Sequence, residues 1–200
     1  MNNHSQILRL LQNIEGGNPP YAAHWIKPAQ FSHILILETD GRERENIVEL
    51  ITQWVLRGSF FIIVAGDWFV DHDDVRYSVF RYTNDFDEVL DRLRLVRART
   101  CFQLLDLLME AEKENKPILI LDPLHHFYNE DIETPIRDRI LKECCQCTKR
   151  LSLSNPVALL VPKVEIEDHK RFFTVLVAVA DEVIPVEEAS DPEASQGLLF

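Results

Sequence analysis

An aspartate that ends a short apolar run is the residue best placed in this sequence to do chemistry. Asp122 follows directly on Ile118–Leu121. Four consecutive branched residues without alternation predict a strand buried on both faces of a parallel sheet, and open α/β sheets bind ligands at the carboxyl ends of their strands. A carboxylate at such a point can hold a divalent cation and, through it, a nucleotide phosphate.

A second group of carboxylates precedes Asp122 in the chain. Asp67 comes three residues after the apolar run Phe60–Val64, and the acidic segment Asp71–Asp74 follows it. Together these side chains could hold the metal ion of a metal-dependent hydrolase. A solvated acidic loop is the favoured interpretation, because adjacent loop acids rarely converge on one ion without a rigid scaffold.

Histidines and cysteines offer a further metal hypothesis. His125 and His126 could act with Cys144, Cys145 and Cys147, which crowd one predicted helix. The spacing of Cys144 and Cys147 matches the core face of that helix, so we predict buried, reduced thiols and no metal site.

Four arginines form the densest positive cluster of the sequence. They could contact phosphates weakly, with Lys149 and Arg150 as helpers. The favoured interpretation is a solvated edge that pairs with nearby acids, since charge runs normally serve solvation. The cluster consists of Arg92, Arg94, Arg97 and Arg99.

Composition restricts the possible partners. The 200 residues include 33 acidic and 21 basic side chains, for a formal net charge of -12. Such a chain repels nucleic acid and anionic membranes over most of its surface, so any contact with a polyanion must be local. No apolar run approaches the roughly 18 residues of a membrane span, and no signal-peptide core is present. We predict a cytoplasmic protein without membrane contact.

Apolar runs alternate with helical patterns through the middle of the chain. Alternation of this kind predicts a doubly wound, mostly parallel α/β sheet with helices on both faces. An extra strand is predicted from the alternation of Val75, Tyr77 and Val79, and a capping box, Thr100–Gln103, opens a helix before the strand that ends at Asp122. The main strands are predicted at residues 34–37, 60–64, 118–121, 157–161 and 173–179.

Three segments are predicted along the chain. Residues 1–30 hold an amino-terminal helix and linker, residues 31–187 form the core, and residues 188–200 form a flexible acidic tail. Tyr21 and Trp25, beside Gly/Pro-rich hinges, are candidate partner anchors, and so are Leu198, Leu199 and Phe200. A frayed end is the alternative for the tail.

With these elements in place, the chain resembles the RecA-like ATPases, particularly their recombinase branch. The resemblance spans roughly Phe31 to Glu187 and rests on Leu95–Leu105, on Ile118–Leu124, and on the later strand Val157–Val161. It implies a P-loop-type fold in which Asp122 occupies the Walker-B position and Asp67 lies near the catalytic carboxylate.

The phosphate loop departs from that family. Against the pattern G-x-x-x-x-G-K-T, Glu38 and Glu43 replace the glycines, Arg44 replaces the lysine and Glu45 the hydroxyl residue. A phosphate loop works because bare backbone amides face the anion. Here Asp40 and Glu43 have capping-box spacing around Gly41, so we expect the protein's own carboxylates to satisfy those amides.

The predicted function follows from this departure. We predict a pseudo-ATPase without a cofactor, a scaffold that acts by protein–protein assembly in DNA recombination or repair, as a homo-oligomer or with a protein partner. The segment 162–171 is short and lacks glycine, unlike the DNA loop of strand-exchange proteins, so DNA contact is expected to be weak or to require a complex. One alternative is an ATP- and magnesium-dependent hydrolase that has an unconventional phosphate loop and uses Asp122 and Asp67. The other is the metal-dependent hydrolase that uses the acidic segment.

Overall fold

A six-stranded, all-parallel sheet forms the centre of the protein in a computed structural model, which describes residues 34–39, 44–66, 70–128 and 131–184. Across the sheet the strands run in the order β3-β2-β4-β5-β1-β6. All adjacent strands pair in parallel. The strands are β1 (Ile34–Thr39), β2 (Phe60–Val64), β3 (Leu93–Arg97), β4 (Ile118–Leu121), β5 (Val157–Pro162) and β6 (Glu182–Ile184).

In the described ranges, six α-helices and one 3₁₀ helix connect these strands. A 3₁₀ helix, His125–Phe127, directly follows β4. The α-helices are α1 (Arg44–Val55), α2 (His72–Val79), α3 (Phe86–Leu90), α4 (Cys101–Ala111), α5 (Thr134–Ser152) and α6 (Glu167–Val177).

The helices divide between the two faces of the sheet according to the direction of each crossover. The connections from β1 to β2 and from β2 to β3 run one way across the sheet, while the three later ones run the other way. Because parallel crossovers are right-handed, α1 to α3 cover one face and α4 to α6 cover the other. The two apolar cores are divided in the same way. Both faces are buried, which explains why β2, β4 and β5 lack polar alternation.

The sequence predicted four of the strands and missed the type of two other segments. Residues 75–79 belong to helix α2, and residues 173–177 belong to helix α6, so both strand predictions were wrong. The small strand β6 begins only at Glu182. Val75 and Val79 fit a strand by alternation, but they are also one helical turn apart and both are buried in the core beneath α2.

Local signals at the helix starts were more reliable. The hydroxyl of Thr100 accepts a hydrogen bond from the Gln103 backbone N–H at 3.1 Å. The Gln103 side chain accepts one from the Arg99 N–H at 2.8 Å. The predicted cap of α4 is therefore present, with its reciprocal bond one residue earlier than in a standard capping box.

Two predicted segments lie outside the described residues. They are the amino-terminal segment with Tyr21 and Trp25, and the tail with Leu198, Leu199 and Phe200. Among the helices that the structure describes, none has the length and apolar character to cross a membrane.

Candidate functional site

Three connecting segments meet at the carboxyl edge of the sheet beside Asp122. They follow β2, β3 and β4, which are neighbours in the strand order. The connection after β2 leads to the face covered by α2, whereas the connection after β4 leads to the opposite face, covered by α5. The point where neighbouring connections diverge in this way is where open α/β sheets bind ligands.

Asp122 lies at this point, directly after β4, as the sequence predicted, but its carboxylate is enclosed. Only 6% of the residue is exposed. Its backbone adopts the left-handed conformation, with φ at 51°, which aspartate tolerates better than most residues. The backbone N–H donates to the carbonyl of Leu160 at 2.8 Å, which anchors the turn to β5.

Gly66, at the end of β2, packs directly against the Asp122 side chain. A Cβ atom placed on Gly66 would lie 2.2 Å from Oδ2 of Asp122 and 2.7 Å from its Cγ. No side chain larger than hydrogen fits at residue 66 unless Asp122 moves. No local sequence pattern predicts this contact, because it depends on the pairing of β2 with β4.

The 3₁₀ helix after β4 supplies the polar neighbours of Asp122. Nδ1 of His125 lies 3.5 Å from Oδ2 of Asp122. Nε2 of His126 is hydrogen-bonded to the carbonyl oxygen of Ala98 at 3.0 Å, which links this turn to the end of β3. Burial, and secondarily the negative charge of Asp122, raise the pKa of Tyr128, so its phenol is neutral.

Arg97, the last residue of β3, contacts the backbone of two residues that follow β2. Its guanidinium donates to the carbonyl of Gly66 at 3.2 Å and to the carbonyl of Val70 at 3.4 Å. These bonds link Gly66 and Val70 to the end of β3.

Two further residues at this edge do not follow from any pattern in the sequence. The ring of His169, on α6, stacks on Tyr128 with centroids 4.0 Å apart and planes 8° from parallel. Arg137, near the start of α5, is buried and donates to the carbonyl of Phe127 at 3.1 Å. Both contacts join segments that are separated in the chain, so no local motif predicts them.

The phosphate turn is described only at its ends. Glu38 is half-buried on β1, and Arg44 and Glu45 begin helix α1. The remaining candidates of this site, Asp40, Gly41, Glu43 and the carboxylate Asp67, lie outside the described residues.

The arginine cluster is largely engaged in ion pairs and backbone contacts. Arg92 pairs with Glu88 at 2.6 Å. Arg94 pairs with both Glu110 and Glu114, and these bonds raise its pKa. Arg97 donates to the Gly66 carbonyl, and Arg99 is exposed just before α4. Acids of this chain therefore compete with any phosphate for Arg92 and Arg94.

The acidic segment before α2 is a helix cap. The carboxylate of Asp71 accepts from the Asp74 N–H at 3.0 Å, and the carboxylate of Asp74 accepts from the Asp71 N–H at 3.0 Å. These reciprocal bonds form a capping box. Residues 71–74 therefore form a helix cap and not a free loop.

The cysteines belong to the core between α4 and α5. Burial raises the pKa of Cys144, and raises that of Cys145 to about 11. A cavity of about 10 Å³ beside them is lined by apolar side chains and Thr148. Across the described ranges, no group of three or more His, Cys, Asp or Glu side chains is arranged to hold a metal ion.

Comparison with known proteins does not assign the chain to a family. No protein-family model matches it. None of the curated proteins compared with it matches either.

Proposed function

We propose that this chain is a RecA-like accessory subunit that acts by protein assembly, in DNA recombination or repair, and does not hydrolyse ATP. The observation that carries the proposal is the enclosed carboxylate of Asp122, packed against Gly66 and next to His125. The process is inferred from the resemblance of the sequence motifs, so it is an argument from analogy.

The strand order supports the proposed class because it differs from the orders of two other nucleotide-binding folds. The order β3-β2-β4-β5-β1-β6 differs from the order 3-2-1-4-5-6 of dinucleotide-binding folds and from the flavodoxin order. The resemblance carried by the segments around α4, β4 and β5 is therefore the more specific guide.

The environment of Asp122 argues against a working magnesium site. Mg²⁺ usually binds proteins through one or two carboxylates and keeps several water molecules. With 6% of Asp122 exposed, a hydrated ion would have to displace the neighbours of this carboxylate. The turn after β1 also has glutamates and an arginine where the lysine and hydroxyl ligands of a triphosphate are needed.

Calorimetric titration with ATP and magnesium tests this argument. We expect no heat of binding up to about 1 mM ATP, a concentration at which even a millimolar site would be detected. A low-micromolar dissociation constant that is lost in Asp122→Ala would overturn the proposal and favour the hydrolase that uses Asp122 and Asp67. A folded Asp122→Ala variant, checked by circular dichroism, is the control for that loss.

The open edge of the sheet supplies a surface for assembly. Within the part of the chain that the structure describes, strand β3 pairs only with β2. The N–H of Phe60 donates to the Arg92 carbonyl, and the N–H of Ala98 donates to the Val64 carbonyl. Because neighbouring residues of a strand alternate in direction, the backbone polar groups of Leu93 and Leu95 face away from β2.

Apolar side chains lie next to this edge in the chain. Helix α4 begins soon after β3 and exposes Phe102 and Met109, at 47% and 43%. An extended peptide can add to a strand edge through its backbone while its side chains fill neighbouring pockets. We assign this edge to the amino-terminal segment of a neighbouring subunit, which contains Tyr21 and Trp25.

A further inference from the structure

An exposed aromatic surface lies on helix α2 and the turn that follows it, outside the site described above. Tyr77 is 74% exposed, Tyr82 50% and Phe80 45%. With about 200 Å² for each large aromatic side chain, these three expose roughly 340 Å². We call the set Asp73, Arg76, Tyr77, Phe80, Arg81 and Tyr82 the α2 surface.

Contacts within the protein hold this surface in place. The rings of Phe80 and Phe86 lie 4.0 Å apart, and the guanidinium of Arg76 lies 5.8 Å and 5.9 Å from their centroids. The hydroxyl of Tyr82 donates to Glu49 on α1. A surface that is already ordered loses little entropy when a partner binds, so its exposed area counts more fully toward affinity.

The charges around the aromatic residues argue against a nucleic acid as the occupant. Asp73 precedes them, Asp85 and Asp87 follow them closely in the chain, and all three are exposed. Carboxylates repel the phosphates that supply most of the affinity of nucleic-acid binding. Aromatic and arginine side chains ringed by charge are instead typical of protein interfaces.

Opposite charges lie on the two sides of Tyr77 in the α2 surface. Asp73 lies four residues before Tyr77 on the helix, about 6 Å away along its axis. Arg81 lies four residues after Tyr77, in the turn that follows the last helical residue, Val79. A second copy that packs antiparallel would place its Arg81 opposite Asp73, its Asp73 opposite Arg81, and the two Tyr77 rings together.

We propose that two copies of this chain pair across a two-fold axis through their α2 surfaces, with the α2 helices antiparallel. An isologous interface requires a self-complementary patch, and this arrangement of charges provides one. The exposed aromatic area is about two-fifths of the roughly 800 Å² that each partner of a standard interface buries, so we expect a weak dimer with a dissociation constant in the micromolar range or above. The proposal does not depend on the RecA-like assignment.

Arg81 can serve both the fold and the dimer. It pairs with Glu49 at 3.0 Å, and its side chain is still 65% exposed. A guanidinium has several N–H donors, so one edge can bind Glu49 while another binds Asp73 of the second copy.

Sedimentation velocity on the full chain, between about 1 and 200 µM, tests the apolar centre of the interface. We expect Tyr77→Glu to raise the dissociation constant of the dimer at least about thirtyfold, as loss of a central aromatic anchor does. Leu153→Glu is the matched control, because Leu153 is 73% exposed at the end of α5 and lies outside the α2 surface. This control should dimerise like the unchanged protein.

A charge exchange tests the two-fold geometry. Asp73→Arg alone and Arg81→Asp alone should each self-associate weakly, because each opposes like charges twice. Mixed together, the two variants should form a heterodimer in which both opposed pairs are attractive again. Thermal unfolding of Arg81→Asp shows whether loss of the Glu49 pair has unfolded it; if so, mixing Asp73→Arg with Arg81→Gln replaces the experiment.

Three results would overturn the proposal. One is a full chain that remains monomeric at 200 µM. Another is a Tyr77→Glu variant that associates like Leu153→Glu, which would place the contact elsewhere. The third is an oligothymidylate that binds the unchanged monomer and not Tyr77→Glu, which would make the α2 surface a stacking platform for single strands.

Discussion

At the scale of single residues, the contact between Gly66 and Asp122 controls the geometry of the carboxyl edge. We expect Gly66→Ala to destabilise the fold by about 1–3 kcal/mol, because the new methyl group would overlap the Asp122 side chain. Urea unfolding followed by circular dichroism measures the change.

A second substitution distinguishes the clash with Asp122 from any other effect of an alanine at residue 66. Asp122→Gly removes the overlapping atoms and suits the left-handed backbone at φ 51°. Gly66→Ala should therefore cost much less in the Asp122→Gly background. Equal costs in the two backgrounds would show that the two residues do not interact energetically.

Residue burial also determines the chemistry of the thiols. Since the pKa of Cys145 is raised to about 11 and that of Cys144 is raised as well, both are protonated at pH 8. The thiolate is the reactive form, so we expect them to react far more slowly with iodoacetamide in the native protein than in urea. Mass spectrometry of the labelled peptides measures the rates. Rapid labelling of Cys144 in the native protein would contradict this burial.

At the scale of elements, the acids before α2 stabilise a helix. We expect Asp71→Ala to lower the free energy of unfolding by about 1 kcal/mol, because it removes the acceptor that caps the Asp74 N–H. Asp85→Ala is the control, since the Asp85 side chain makes no capping hydrogen bond at the start of α3. Under the metal hypothesis, Mg²⁺ or Mn²⁺ would raise the melting temperature of the unchanged protein and not that of Asp71→Ala.

The error at α2 shows the limit of short periodic patterns. Val75, Tyr77 and Val79 alternate with polar residues, which predicted a strand. In a strand Tyr77 would share the buried face of the two valines, but it is 74% exposed. The cap Asp71–Asp74 was present in the sequence and was the better guide, because it specifies a helix start by a hydrogen-bonding mechanism.

The sequence predicted the parts of the candidate site that depend on one segment of the chain. It did not predict the contacts between segments that are distant in the sequence. The run before Asp122 predicted both its strand and its place at the carboxyl edge. Its closeness to Gly66 depends on the pairing of β2 with β4, and the stacking of Tyr128 on His169 depends on how α6 packs. Neither the strand order nor the helix packing follows from local patterns.

At the scale of the whole molecule, net charge determines how the chain meets DNA. With a formal charge of -12, and with Arg92 and Arg94 already paired, we expect only feeble binding of single- or double-stranded DNA at about 150 mM salt. Fluorescence anisotropy at several salt concentrations measures it. Residual binding should fall steeply with salt and should weaken in Arg99→Ala. Tight binding insensitive to salt would contradict the expectation.

At the same scale, we expect the outer edge of β3 to favour assembly with a protein. An unpaired strand edge tends to recruit another strand. Among the described residues this edge has no partner strand, and it lies close in the chain to the exposed Phe102 and Met109. Burying two or three large apolar side chains contributes about 1.5–3 kcal/mol each, which is enough to separate a micromolar complex from none.

The amino-terminal segment is the anchor that we expect to occupy this edge. Removing residues 1–25, and with them Tyr21 and Trp25, should abolish the association that depends on β3 while the far-UV circular dichroism of the core is retained. Multi-angle light scattering on the full chain and on the shortened version measures this, and removal of residues 191–200 is the comparison for the rival anchor Leu198–Phe200. Tyr77→Glu in both versions separates the β3 contact from the α2 surface. A full chain that is strictly monomeric and retains no protein partner through purification would contradict the proposal that it acts by assembly. A subunit that catalyses no reaction can act only by binding other molecules through its surface.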